Sequence, residues 1–174
     1  LGNKSLLDHA IEKIEKKFHE ILIISNNEKF VTIKKNVFST KDLIEGHLGP
    51  LVGVLSAMEW IKKNKKNYNW IATFPCDTPF FDKDLIDIIK NCQKNSSKKL
   101  FFLKSGARRH NIFGLWSLEL KDILLDDINK GQRKVEEWAN KVGSEIIEIN
   151  DENDYNFLNI NTKEDLEKAK KKIK

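Results

Sequence analysis

The chain has 174 residues and a formal net charge of +5, enough length for one domain with a full hydrophobic core. No apolar run approaches the roughly 20 residues that span a bilayer, so a soluble protein without a membrane partner is expected, and the cysteine usage points to a reducing, cytoplasmic compartment. Cys76 and Cys92 have no metal-ligand spacing and do not suggest a disulfide scaffold, while lysine runs such as "KKNKKN" and "KAKKKIK" read as solvated faces. A basic balance suits an anionic partner, whether nucleotide, phosphate or nucleic acid, without choosing among them.

Leu6, Leu7, Ala10, Ile11, Ile14 and Phe18 follow helical spacing, which predicts an amphipathic helix over residues 5–18. "ILIIS" (21–25) suits a strand covered on both faces. "NNEK" reads as a loop, "FVTI" (30–33) as a weaker strand and 36–48 as a long loop. Pro50 opens a helix, "LVGVLSAMEWIKK", from its first turn. "WIATF" is the next buried strand, and Asp82 can cap a helix over "KDLIDIIKNCQK". "KKLFFL" and "HNIFGLW" read as strands joined by the turn "KSGARR". Helices follow at about 118–129 and 133–141, divided by Gly131; "EIIEI" is a strand, and Thr162 caps a last helix from Lys163. Strands alternating with helices predict a single-domain, three-layer α/β fold around a mostly parallel sheet.

In "WIATFPCDTPFF" a lone carboxylate, Asp77, stands between Pro75 and Pro79 at the end of a predicted strand. Ligands of open α/β sheets bind at strand carboxyl ends, and Phe80 and Phe81 can anchor the loop. A carboxylate held stiffly there suits Mg²⁺, which shares oxygen ligands with substrate phosphates. A turn with Asp77 as its local cap fits the residues equally well.

"FLNINT" (157–162) places Asn159 and Asn161 on one side of an extended segment, with Leu158 and Ile160 on the other. Two carboxamides can bind a phosphate-bearing ligand or cap the following helix, although Thr162 is better placed as that cap. In "GHLGPLVGVLSAM", Gly49 leads into a helix N-terminus that favours an anion; close packing would also explain its glycines. All but three of the 31 basic residues are lysine. Arg108, Arg109 and Arg133 lie in two turns, where a planar fork suits bidentate phosphate recognition or simply adds surface charge. The histidines show no ligand spacing, and Cys76 reads as a small packing residue.

Taken in order, "GPLVGVLSAM", "PCDTPF", "HNIFGLW", "GQRKVEEW" and "FLNINTKEDLEKA" resemble the molybdenum cofactor guanylyltransferase family over nearly the whole chain. The resemblance implies a Rossmann-like nucleotidyltransferase fold. It also implies transfer of GMP from GTP to the molybdopterin phosphate with Mg²⁺, releasing pyrophosphate. By matching position, Asp77 is the implied metal-binding and catalytic aspartate, and Asp42 an acidic nucleotide contact, with Gly49 on the same side. Asn159 and Asn161 match the asparagine pair near the acceptor, and Arg108, His110 and Arg133 are expected to join them. Other cofactor-biosynthesis proteins and acceptor molybdoenzymes are further implied partners.

Two departures stand out. The family often has asparagine where this chain has Ser25, and Asn27 is the expected substitute. The family also opens with a strand, a glycine-rich loop and a lysine, whereas "LGNKSLLDHAIEKI" resembles the segment just after that loop. Since the chain opens at Leu1, a strand and loop are expected upstream. The chemistry needs no general base, because the attacking phosphate oxygen is already anionic and catalysis is alignment plus charge neutralisation. Alternative readings are a molybdopterin cytidylyltransferase, a sugar-phosphate nucleotidyltransferase, or an inactive relative that binds pterin or partner proteins. A nucleic-acid module lacks any recognition motif here.

Overall fold

The computed structural model describes residues 4–26, 34–46, 49–150 and 156–172. Six strands and six α-helices lie among them: α1 (Leu6–Ile14), β1 (Ile21–Ile24), β2 (Val37–Thr40), α2 (Pro50–Lys63), β3 (Trp70–Thr73), α3 (Lys83–Asn91), β4 (Leu100–Ser105), β5 (Arg108–Ser117), α4 (Lys121–Asn129), α5 (Val135–Val142), β6 (Glu145–Ile149) and α6 (Lys163–Lys172). The "FVTI" strand expectation and Asn27 lie outside the described residues. No described helix is long and apolar enough to cross a membrane.

The strands form two sheets. β1 and β2 pair in parallel, Ile21 opposite Val37, and the remaining four are ordered β3-β5-β4-β6. β5 runs antiparallel to both its neighbours, while β4 and β6 are parallel. Three strands of the larger sheet therefore share one direction and only β5 opposes them. The cause is local: Gly106, with φ 52°, and Ala107 join β4 and β5 through a two-residue hairpin turn. The expected turn "KSGARR" is thus tighter than read, its outer residues pairing as Lys104–Arg109 and Ser105–Arg108. β2 is a second difference, since 36–48 read as loop. "VFST" is short and half exposed, and its pairing with β1 supplies what its own pattern lacks.

Alternation along the strands sorts the core into two faces. Leu100, Phe102 and Trp116 pack with α2, α4 and α5, whereas Phe101, Leu103, Phe113 and Leu115 pack with α3. α1 covers β1 and β2 through Ile11. The result is the three-layer arrangement expected.

The α4–α5 corner is held by one buried carboxylate. Asp127 is 3% exposed, accepts Trp138 Nε1 at 2.9 Å, and pairs with Lys141 Nζ at 2.5 Å. The Lys141 bond holds its carboxyl below the ordinary 3.8 against the opposing effect of burial, and Trp138 adds to this. Asp127→Ala strands the indole N–H, and a lost hydrogen bond to a charged group costs about 2–3 kcal/mol. Because the folded pKa is depressed, the stabilisation is full above the ordinary aspartate value and vanishes as pH falls through the folded one. Thermal melts should therefore separate wild type from variant at neutral pH and converge as pH falls through the depressed folded value, below the ordinary aspartate range.

Candidate active site

The loop after β3 is fixed at both ends by aromatic packing. Phe74 stacks on the fully buried Phe81 with ring centroids 5.4 Å apart, so the chain between them forms a short closed excursion. Phe81 is the anchor expected; Phe80 is only half-buried. Asp77 sits within this excursion, at the end of the sheet where β3, β4 and β6 finish.

A second loop is bound to it. Ile160 N–H donates to the Asp77 carbonyl at 2.7 Å, and Asp82 N–H donates to Asn156 Oδ1 at 2.6 Å. Between them the Thr78 hydroxyl, 1% exposed, donates to Asn159 Oδ1 at 2.7 Å and lies 3.1 Å from Asp77 Oδ1. One buried hydroxyl thus joins the carboxylate to the carboxamide. With Oδ1 committed to Thr78, the Asn159 amide presents Nδ2 as a donor. Asp77 accepts no backbone N–H and pairs with no lysine or arginine among the described residues. The local-cap reading of Asp77 is not realised in this geometry, and a partly buried, uncompensated carboxylate remains.

Asn161 is exposed and follows the buried Ile160, and 158–161 is not strand. It borders a shallow depression of about 390 Å³ with Lys4, Ser5 and Thr162. Thr162 caps α6, accepting Asp165 N–H at 3.1 Å.

Asp42 belongs to a separate cluster. Its carboxylate accepts Asn26 Nδ2 at 2.8 Å, and its N–H returns to Asn26 Oδ1 at 3.0 Å. The segment is tied to α2 where Leu43 N–H meets Ser56 Oγ at 2.7 Å. Gly49 holds φ 89° at the N-cap of α2, and a Cβ there would lie 3.7 Å from the Arg133 carbonyl. Arg133 is therefore beside the helix N-terminus, and its Nη1 donates to the carbonyls of Ile128 and Gln132, both at 2.7 Å. That guanidinium closes the end of α4.

His110 is 8% exposed, stacks on Phe157 at 3.5 Å, and shares a 2.8 Å hydrogen bond with Ser105 Oγ. It supports the asparagine loop from beneath. Arg108 is exposed at the hairpin on the same sheet end, and Arg109 donates to Asn140 Oδ1 at 3.1 Å. The structure thus unites Asp77 with Asn159, sets Asp42 beside α2, and gives Arg133 and His110 protein partners. Sequence reading missed Thr78, Asn26 and Asn156. Thr78 alone carried a signal, as a hydroxyl beside the carboxylate in "PCDTP".

Cys76 is exposed overall, but partial burial of its thiol and the adjacent Asp77 push its pKa up. It is no thiolate nucleophile at neutral pH. Burial pushes the Cys92 thiol up to about 12. Among the described residues no group of three or more His, Cys, Asp or Glu could hold a metal. A single uncompensated carboxylate fits a hard cation that draws its other oxygens from substrate phosphates and water.

Residues 1–143 match the family described as the MobA-like NTP transferase domain. A molybdenum cofactor guanylyltransferase of Haemophilus influenzae (strain 86-028NP) is 32% identical over 169 residues, covering 97% of this chain and 85% of that protein. One from Shewanella woodyi is 27% identical, covering 94% and 81%. Among solved structures, molybdopterin-guanine dinucleotide biosynthesis protein A of Archaeoglobus fulgidus superposes with TM-score 0.76 at 19% identity, covering 99% of this chain and 87% of that one. The 2-C-methyl-D-erythritol 4-phosphate cytidylyltransferase of Francisella tularensis gives 0.71 at 16%, covering 98% and 89%. These two share the fold. With its family match over residues 1–143 and its 32% identical relative, the chain belongs to the MobA-like NTP transferase family.

Proposed function

We infer that the protein is a cytoplasmic enzyme that transfers GMP from GTP to molybdopterin, releasing pyrophosphate. The observation that carries the reading is the uncompensated Asp77 carboxylate, joined through Thr78 to Asn159 at the strand ends. The named guanylyltransferase relatives support the choice of reaction. A molybdopterin phosphate oxygen attacks the α-phosphorus of GTP, forming the new P–O bond as the bond to pyrophosphate breaks. The nucleophile is already an anion, so no side chain need remove its proton, and the absence of a thiolate at Cys76 costs nothing. Asp77 would hold Mg²⁺, which when bound supplies charge neutralisation at the phosphates.

The chain's own residues do the aligning. Thr78 fixes the Asn159 amide so that Nδ2 donates toward the acceptor, and Asn161 and Arg108 would supply further donors to it. His110 steadies that loop through Phe157. On the nucleotide side Asn26 orients Asp42, and Gly49 with the N-terminus of α2 offers donors to GTP. Arg133 supports that helix end through its backbone.

Two separable sides predict two separable defects. Asp42→Ala should weaken GTP binding and spare molybdopterin, and Asn161→Ala should do the reverse. A lost hydrogen bond involving a charged group costs roughly 1.5–3 kcal/mol, about ten- to a hundredfold in affinity. Calorimetric titration of each ligand into the full-length variants reads both. Equal losses for both ligands in both variants would contradict the two-sided site.

A further inference from the structure

Thr78 stands between two acceptors with a single proton to give. Its Oγ lies 2.7 Å from Asn159 Oδ1 and 3.1 Å from Asp77 Oδ1, and a hydroxyl donates one hydrogen at a time. At 1% exposure, Thr78 leaves no room for water to take over its role. Nor can the hydroxyl back away from either group. Ile160 N–H holds the Asp77 carbonyl at 2.7 Å, Asp82 N–H holds Asn156 Oδ1 at 2.6 Å, and the fully buried Phe81 pins the loop three residues on.

The two acceptors compete on different terms. Asn159 Oδ1 is neutral and nearer. The Asp77 carboxylate is charged, has no lysine or arginine paired with it among the described residues, and would form the stronger type of hydrogen bond. Each placement of the proton fixes one face of Asn159. When Thr78 donates to Oδ1, the carboxamide shows Nδ2 outward. When Thr78 donates to Asp77, its oxygen is left to accept, and Asn159 satisfies it by turning Nδ2 inward and Oδ1 outward. The first face attracts an anionic phosphate and the second repels it.

We propose that Thr78 is a positioning residue that couples the two sides of the site through this one proton. Once its carboxylate is engaged by a divalent cation, Asp77 ceases to compete, Thr78 commits its proton to Asn159, and Asn159 shows its amide donor to the acceptor phosphate. Metal-bound nucleotide thereby prepares the acceptor side, and by linkage the acceptor tightens metal and nucleotide binding by the same factor. The inference rests on Asp77 as the cation ligand and Asn159 as an acceptor contact.

Titration of molybdopterin into the full-length protein tests it, without and with Mg²⁺ and α,β-methylene-GTP, whose bridging carbon blocks pyrophosphate release. The gain in molybdopterin affinity on adding Mg²⁺ and the analogue should be about tenfold larger in wild type and Thr78→Ser than in Thr78→Val, which keeps the shape but lacks the proton. The same gain in all three overturns the proposal. A metal-free comparison is independent of the cation. Asp77→Asn removes the competing charge, and its new amide can donate to the Thr78 oxygen, so the proton stays with Asn159. Without Mg²⁺ this change should tighten molybdopterin binding about tenfold more in the Thr78 background than in Thr78→Val, where only plain charge repulsion is relieved. Equal gains in both backgrounds overturn the proposal even if Asp77 holds Mg²⁺. An Mg²⁺ affinity unchanged by Asp77→Asn would instead remove the cation reading of Asp77, and the coupling with it. Wild-type protein alone gives a third reading by NMR. The NOE between the Asn159 side-chain amide protons and the Thr78 methyl should weaken when Mg²⁺ and the analogue are added, and an unchanged NOE overturns the proposal.

Discussion

Asp77→Asn in the full-length protein is expected to slow guanylyl transfer on the order of 10²–10³-fold while leaving the fold intact, since metal-assisted charge stabilisation is worth several kcal/mol. The amide is nearly isosteric with the carboxylate and can still lie against the Thr78 hydroxyl, whose proton stays with Asn159 Oδ1 and whose oxygen can accept from the new amide. The stitching of the two loops, including the 2.7 Å bond from Ile160 N–H to the residue 77 carbonyl, is therefore preserved. What is lost is the negative charge, and with it the hold on a divalent cation. The defect should accordingly shift the Mg²⁺ dependence of turnover to higher concentration. Transfer assays across a Mg²⁺ series, paired with thermal melts, separate the outcomes. Near-normal turnover at low Mg²⁺ would remove Asp77 from the metal site, and a lowered Tm with turnover retained would make it a structural turn residue.

Gly114→Ala should be among the most destabilising single changes in the core. Gly114 lies mid-β5, in register with Thr73 on one side and Phe102 on the other. A Cβ at this position would stand 2.7 Å from the Phe101 carbonyl and 2.8–2.9 Å from two Phe102 ring carbons. Neither can retreat cheaply. The carbonyl belongs to the ladder, and Phe102 is fully buried against Trp116 with centroids 5.1 Å apart. Overpacking of this kind costs about 3 kcal/mol, or roughly 10 °C in Tm for a domain of this size. A melt within 2–3 °C of wild type, about the shift that 1 kcal/mol produces, would show that β4 and β5 can separate locally.

The strands with continuous apolar runs were legible because burial on both faces leaves a simple signature, as in "ILIIS" and "WIATF". β2 was not, since its four residues are half exposed and acquire strand structure only by pairing with β1. The antiparallel course of β5 is hidden in the turn "KSGARR", whose outer residues belong to the strands; once Lys104 and Arg109 pair, the strand must reverse. The same contrast runs through the site. Asp77 and Asn159 could be read because prolines and alternation restrict them locally. Thr78 and Asn26 act through partners distant in sequence, 81 residues away for Thr78 and 16 for Asn26. Residue type also could not say whether Arg133 and His110 reach a ligand. Arg133 spends its Nη1 on two carbonyls of its own chain, and His110 packs between Ser105 and Phe157.

Pyrophosphate release by the full-length protein measures the transfer itself. Release should require GTP and molybdopterin together with Mg²⁺, and the pterin product should gain one GMP by mass. Release from CTP in preference to GTP, or from GTP at the same rate without molybdopterin, would mean that the protein is not a molybdopterin guanylyltransferase.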